Sequence, residues 1–353
     1  MEPLRFALIG CSKIAFKHAA ALRMVEDARL AAVCDLMTDR ARALGTEFGV
    51  PWYTNFEEMV YKTEVDVVSV LTPSGDHSRR VLDLVRFKKH IVVEKPLALR
   101  IEDADSMIAA CDREGLKLFE VKQNRFNVPI RKLREAMDAG RFGRMVLGSV
   151  RVRWCRTQDY YDSATWRGTW ADDGGVLTNQ AIHHIDMLKW MMGDVESVQA
   201  MTATRLARIE AEDTGVAILR FTSGALGVIE ATTATRPRDL EGSLSLLGEK
   251  GTVEIGGFAM DRIKVWEFDP PFGHDDSIRG ESATNPNVFA YNHAEFLKDV
   301  VQSIREGKRG VVDGIEARAT LELINAIYES HETGRQVRLR FTPKLCKLGV
   351  SNS

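Results

Sequence analysis

The sequence predicts an α/β protein in two parts: a doubly wound parallel sheet, then an α+β region with an open, mainly antiparallel sheet. Three observations carry this reading. Up to about Gln123, short β-rich runs alternate with amphipathic segments at the spacing of successive βαβ units. After Gly140 the apolar pattern changes to alternation along successive runs, as in a sheet with one face covered. At 353 residues with 44% hydrophobic content, the chain is long and apolar enough for two cores.

In the first part the strand candidates are residues 5–9, 30–34, 65–71, 91–93 and 116–121. Residues 15–24, 38–48 and 101–113 carry the apolar spacing of covering helices. His90-Ile91-Val92-Val93 has the continuous apolar character of a buried parallel strand. In the second part, residues 146–154, 198–203, 215–221, 225–231 and 243–247 read as strands, and 180–192, 286–305 and 314–334 as helices. The last helix is long enough to return and brace the first domain. The expected boundaries are 1–123 for the nucleotide domain, 124–341 for the substrate and assembly domain, and 342–353 for a frayed tail. No internal repeat or low-complexity tract is visible.

Composition excludes several function classes. A net charge of −2 and a pI near 6.5 leave no global attraction for nucleic acid or an anionic membrane. The five cysteines, Cys11, Cys34, Cys111, Cys155 and Cys346, are scattered and lack Cys-x-x-Cys spacing. That pattern suits a reducing compartment and does not suggest zinc, so no metal is expected. The amino terminus passes straight into an apolar strand without a leader, and no apolar run reaches membrane length, so a cytoplasmic location is expected.

The first strand runs into Gly10-Cys11-Ser12-Lys13-Ile14-Ala15, a variant of G-x-G-x-x-G/A with Ser12 at the second glycine. Gly10, Ser12, Lys13 and Ile14 would lie against a pyrophosphate, with the following helix presenting its positive end. Asp35 closes the second strand, where a carboxylate can take both ribose hydroxyls and repel a 2′-phosphate. This favours NAD over NADP, although Arg40 stands nearby. A turn or capping role is the competing reading of Asp35. Three further strand ends point the same way: Thr72-Pro73 with His77, then Glu94-Lys95-Pro96, then Lys122-Gln123-Asn124-Arg125. Their amides and amines can hold a nicotinamide carboxamide and substrate hydroxyls. His77 can equally cap the next helix.

The chemistry is expected from Lys95 together with Gly174-Gly175-Val176-Leu177-Thr178-Asn179-Gln180-Ala181-Ile182-His183-His184-Ile185-Asp186. On a helix, Asn179 and His183 would share a face. An imidazole suits acceptance of an alcohol proton as hydride leaves the same carbon, and an ammonium stabilises the developing alkoxide. His184 and Asp186 read as structural, and Asp213 as a turn residue. Arg151, Arg153, Trp154 and Arg156, followed by Tyr160 and Tyr161, offer cations and aromatic faces suited to a diphosphate, a carboxylate and a base. Taken singly, each of these arginines reads more readily as a solvated strand residue.

These motifs, with Trp166-Arg167, resemble the Gfo/Idh/MocA oxidoreductases over nearly the whole chain. The resemblance implies an N-terminal Rossmann domain, a C-terminal domain built on an open sheet, and Lys95 and His183 as the catalytic pair. It places Trp166 and Arg167 near the cofactor. Many members have Asp four positions before the histidine, where this chain has Asn179; an amide cannot relay a proton, so proton transfer would rest on His183. Val121 to Arg125, Gly140 to Arg144, Tyr160-Tyr161-Asp162, Trp166 to Trp170, Thr178-Asn179-Gln180, Arg208 to Gly215 and Leu240 to Ser243 are similar to a narrower group. That group is the WlbA-type UDP-N-acetylglucosaminuronate 3-dehydrogenases of surface-polysaccharide pathways. It implies oxidation of a sugar 3-hydroxyl, a tightly held NAD recycled in some members by 2-oxoglutarate, and a homo-oligomer, expected as a tetramer joined through the open sheets. Lys95, Asn124, Arg156, Tyr160, Asn179 and His183 are the expected substrate contacts. The competing readings are a dehydrogenase of free sugars or cyclitols and a non-catalytic NAD-binding regulator.

Overall fold

The structure, a computed structural model, describes residues 2–273, 275–279, 288–339 and 348. The expected tail 342–353, Leu348 apart, lies outside these residues, as do Cys346 and the first two positions of the helix expected from residue 286. The chain divides into two compact units, one of residues up to Gln123 with Phe289–Ala319, the other from Asn124 to Val288 with the chain from Thr320 onward.

The first unit is built on six parallel strands, β1 (Leu4–Ile9), β2 (Ala28–Cys34), β3 (Trp52–Tyr53), β4 (Val67–Val70), β5 (His90–Val93) and β6 (Leu118–Glu120). Their order is β3-β2-β1-β4-β5-β6, the doubly wound arrangement the sequence predicts. Every residue of β4, and all but the first of β5, is buried, as a strand covered on both faces requires. Helices Lys13–Leu22, Thr38–Phe48, Phe56–Lys62, His77–Val85 and Ile101–Arg113 form the crossovers. The order reverses between β1 and β4, and Gly10 and Thr72 follow the ends of those two strands. Ligands of such sheets collect at this switch point.

The second unit carries the strands β7 (Met145–Arg153), β8 (Val195–Ala203), β9 (Thr214–Phe221), β10 (Leu226–Thr232), β11 (Glu241–Gly248), β12 (Gly251–Gly256), β13 (Arg262–Phe268) and β14 (Val337–Arg338). They form one sheet in the order β13-β12-β11-β7-β10-β9-β8-β14, antiparallel except for the pair β7 and β10. The sheet is thus open and mainly antiparallel, and longer by β12, β13 and β14 than the sequence reading. Helix Ile182–Met192 packs on its inner face so closely that a side chain at Gly148 would meet Leu188 and Met192. The outer face is different. Met201 (72% exposed), Val216, Ile218 (60% exposed), Leu226 and Val228 lie along it on three neighbouring strands, with Ile218 directly opposite Val228. Among the described residues no helix is long and apolar enough to cross a membrane.

Candidate active site

In the first unit, the switch point is shaped by backbone. Gly10 has φ +96°, and a Cβ there would stand 2.7 Å from the Leu71 carbonyl oxygen, so only glycine lets the ends of β1 and β4 approach this closely. Ser12 is the N-cap of helix Lys13–Leu22, extended and exposed, and its side chain makes no capping hydrogen bond. The first-turn N–H groups of that helix are therefore not capped by their own residue. Lys13 is exposed and Ile14 half-buried at the same end. Asp35 realises its competing reading: Oδ2 accepts the Cys11 N–H at 2.7 Å and Oδ1 the Met37 N–H at 2.8 Å. It braces the β1 turn against the end of β2. Each carboxylate oxygen has a second lone pair, so bracing does not remove its capacity to accept from a ribose.

After β4, Thr72 Oγ1 is buried without a hydrogen-bond partner among the described residues, and exposed Pro73 leads into a short turn. His77 is buried with Nδ1 2.8 Å from the Pro96 carbonyl and Nε2 3.0 Å from the Thr72 carbonyl, so it ties the loop after β4 to the loop after β5. Burial lowers its pKa against the pull of the two carbonyls. A neutral ring can donate to only one of them. At the end of β5, Glu94 is buried with Oε1 2.9 Å from His18 Nε2, while Lys95 is half-buried. At the end of β6, Lys122 is buried and pairs with Glu120 at 3.0 Å. Among the described residues, Gln123 Oε1 is buried without a hydrogen-bond partner.

Unsatisfied buried polar atoms are uncommon and call for a partner. The close-approach glycine, the uncapped helix start, Asp35, Thr72 Oγ1 and Gln123 Oε1 together fit a bound dinucleotide.

In the second unit, Gly175 rests on Glu212. A Cβ at Gly175 would overlap both the Glu212 carbonyl and its Oε2, so no larger residue fits. Glu212 Oε1 accepts the Leu177 N–H at 2.9 Å and the Tyr328 hydroxyl at 2.8 Å, and Tyr328 is also 2.9 Å from Thr178 Oγ1. Among the described residues, Glu212 Oε2 is buried and accepts no hydrogen bond. Burial pushes this carboxyl up and the neighbouring Asp173 adds to it, the donors offset them only in part, and the result is about 7.

This seat corrects one expectation. Asn179 lies in a turn in which the Asn179 N–H bonds to the Gly175 carbonyl and the Ala181 N–H to the Val176 carbonyl; the regular helix starts only at Ile182. Asn179 and His183 therefore do not sit on one helical face. The Asn179 amide donates to Asp173 Oδ1, whose other oxygen accepts the Gly168 N–H at 2.8 Å. His183 is half-buried in the first turn of helix Ile182–Met192. His184 is buried edge-on to Trp154, its pKa lowered to about 4 by burial. Asp186 is buried and accepts two hydrogen bonds from Arg125, each at 2.8 Å, and one from Thr320 at 2.7 Å. Asp186 and Arg125 thus form a buried ion pair of the second unit, whereas among the described residues neither ring nitrogen of His184 has a hydrogen-bond partner. Asp213 gathers the N–H groups of Arg205, Leu206 and Ala207, the turn role the sequence suggests.

Among the described residues, Asn124 Oδ1 is buried without a hydrogen-bond partner. Tyr160 forms an aromatic and cationic cluster, with Arg167 4.3 Å and Arg156 5.5 Å from its ring centroid. Arg167 also lies 4.7 Å from the Trp166 ring and donates to the Tyr160 hydroxyl at 2.5 Å. Arg156 is held by Asp239 at 3.1 Å. Arg153 pairs with Glu230 and Glu241, and Arg151 with Glu241, so these two serve the sheet. The sequence reading missed Glu212, Tyr328, His18 and His293. Glu212 adjoins a recognised motif, but its role depends on contact with a turn far away along the chain.

Comparison with known proteins places these features in a family. Residues 4–122 match the oxidoreductase family with an NAD-binding Rossmann fold, and residues 130–254 match the GFO/IDH/MocA C-terminal domain. The chain is 41% identical to the WlbA dehydrogenase from Bordetella pertussis, solved in complex with NADH and UDP-GlcNAcA, with a TM-score of 0.89 over 96% of this chain and 98% of that one. It is 40% identical to the WlbA dehydrogenase from Chromobacterium violaceum, solved with the same two ligands, with a TM-score of 0.90 over 96% and 97% of the two chains. It is also 29% identical to the myo-inositol 2-dehydrogenase of Thermotoga maritima over 95% of this chain and 98% of that protein.

Proposed function

The chain belongs to the Gfo/Idh/MocA oxidoreductase family and is an NAD-dependent oxidoreductase, and from that premise we propose that it oxidises the 3-hydroxyl of UDP-N-acetylglucosaminuronic acid to the 3-oxo sugar. The observation that carries the proposal is the full-length likeness to two dehydrogenases that hold both NADH and UDP-GlcNAcA. The Arg156, Tyr160 and Arg167 cluster supports it, offering cations and an aromatic face to a diphosphate-linked, carboxylate-bearing sugar.

Gly10, Ser12, Lys13, Ile14, Asp35, Thr72, Pro73, His77, Glu94, Lys95, Gln123, Trp166 and Arg167 are the residues we assign to holding NAD. NAD, when bound, supplies the hydride acceptor. His183 accepts the proton of the substrate hydroxyl, and the Lys95 ammonium stabilises the negative charge that develops on that oxygen. Asn179, fixed by Asp173, orients the sugar without relaying a proton. Asn124, Arg156 and Tyr160 complete the substrate contacts. The reading places the reaction in the cytoplasm, in the supply of a bacterial surface polysaccharide, with 2-oxoglutarate as reoxidant. Cys11, Cys34 and Cys111 suit that setting, being free, buried thiols pushed up to about 12 by burial.

Adding UDP-N-acetylglucosaminuronic acid to protein charged with NAD is expected to raise nicotinamide absorbance, and 2-oxoglutarate to remove it. Silence with this sugar but turnover with myo-inositol would replace the proposal by the cyclitol reading, which the Thermotoga relative favours. A regulator that only bound NAD would need neither Lys95 nor His183.

The outer face of the second sheet supports assembly with further copies, to a tetramer. The apolar row of Met201, Val216, Ile218, Leu226 and Val228 is the kind of surface that a second copy covers. Ile218→Asp is expected to lower the mass seen by sedimentation equilibrium. An unchanged mass would move the interface elsewhere.

A further inference from the structure

The segment that carries Lys95 is held from beneath by buried ionisable groups, all in the first unit. Glu94 Oε2 accepts the Lys95 N–H at 3.1 Å, His77 Nδ1 meets the Pro96 carbonyl at 2.8 Å, and Glu120 Oε1 accepts the Leu97 N–H at 2.8 Å. Each carboxylate has its own counterpart: Lys122 lies 3.0 Å from Glu120, and His18 Nε2 lies 2.9 Å from Glu94 Oε1. His18 comes from helix Lys13–Leu22. The ring of His293, from helix Val288–Glu306, stands edge-on to His18 with centroids 5.2 Å apart.

A buried carboxylate is costly unless it is paired. Glu94 therefore spends one oxygen on His18 and the other on the backbone of the residue next to it. Two consecutive hydrogen bonds thus connect an imidazole on the first helix to the main chain of Lys95. Removing the first leaves the second attached to a buried carboxylate that has lost its hydrogen-bonded partner.

We propose that His18 is a positioning residue for Lys95, acting through Glu94. The proposal rests on the reading of Lys95 as a group of the reaction. The charged and titratable groups facing Glu94 are His18, His293, Lys95 and His77. Burial pushes the Glu94 carboxyl up, but the His18 hydrogen bond and the charges of His18, His293 and Lys95 outweigh it and hold the carboxyl at about 2. With His18 gone, that balance tips towards the proton.

The test compares His18→Leu, which removes the donor, with His18→Gln, whose amide nitrogen can stand near the position of Nε2; His18→Asn, too short to reach Glu94, serves as a gentler removal if the leucine variant does not fold. Misplacement of a reacting group by about 1 Å costs on the order of 100-fold in rate. The removal variant is expected to lose roughly 10- to 100-fold in kcat, with the sugar KM and the NAD Kd within about threefold of wild type. Its kcat should fall towards acid in a pH range where the wild type is flat. Amide hydrogen exchange in the peptide spanning residues 91–100 should quicken, and His18→Gln should restore both rate and protection.

Wild-type exchange and rate in the removal variant would overturn the proposal, as would a glutamine variant no better than leucine. If the wild type oxidises no sugar, the functional reading fails by itself. The exchange measurement still decides whether His18 holds the Lys95 segment.

Discussion

Lys95→Ala and His183→Ala are each expected to lower kcat for sugar oxidation by roughly 10²- to 10⁴-fold, the range that a positioned acid–base group contributes. The two losses have different origins. Without His183 the hydroxyl proton has no positioned acceptor, since Asn179 is an amide bound to Asp173. Without Lys95 the oxygen becomes negative with no cation beside it. Neither change touches Gly10, the uncapped start of helix Lys13–Leu22 or Asp35, so NAD should still bind. Single-turnover absorbance at the NADH band, with NAD affinity by fluorescence quenching, separates the effects. A variant that turns over like the wild type removes its residue from the mechanism, and a Lys95 variant that loses NAD as well acts through holding the cofactor.

Glu212→Gln should stabilise the protein at pH 8 and do so much less at pH 5. The Glu212 carboxyl is buried and raised from 4.5 to about 7 in the folded chain. Between those two values the folded state keeps a proton that the unfolded state has released, so the contribution is fully present below 4.5 and is lost as pH rises through about 7. A shift of that size corresponds to roughly 3 kcal/mol. Glutamine keeps a carbonyl for the Leu177 and Tyr328 donors but carries no charge. Chemical unfolding of both proteins across pH 5 to 8 is the measurement. Curves that run parallel over the whole range would mean that Glu212 does not titrate there.

The fold was legible where the signal is local. Each strand of the first sheet longer than two residues shows in the apolar runs, and Gly10 and Asp35 mark the ends of β1 and β2. β3 is two residues long, too short to show any period, and its Trp52 is exposed. β12 and β13 alternate in burial as the other strands of the second sheet do. At the site, spacing alone suggested a helical face for Asn179 and His183. A buried glutamate under Gly175 holds Asn179 in a separate turn, and nothing in the local spacing shows that contact. The pairing of His18 with Glu94 was hidden for the same reason, since its partners stand 76 positions apart.

The outer face of the second sheet also bears on how this protein behaves when diluted. Where Met201, Val216, Ile218, Leu226 and Val228 find cover only in another copy, folding strength becomes a function of concentration. Each tenfold dilution shifts an association by about 1.4 kcal/mol. Melting curves taken at micromolar protein and assays run at nanomolar protein would then report on different species. Losses of activity on standing in dilute solution would follow from mass action and would reverse on concentration, provided the uncovered sheets had not first met one another out of register.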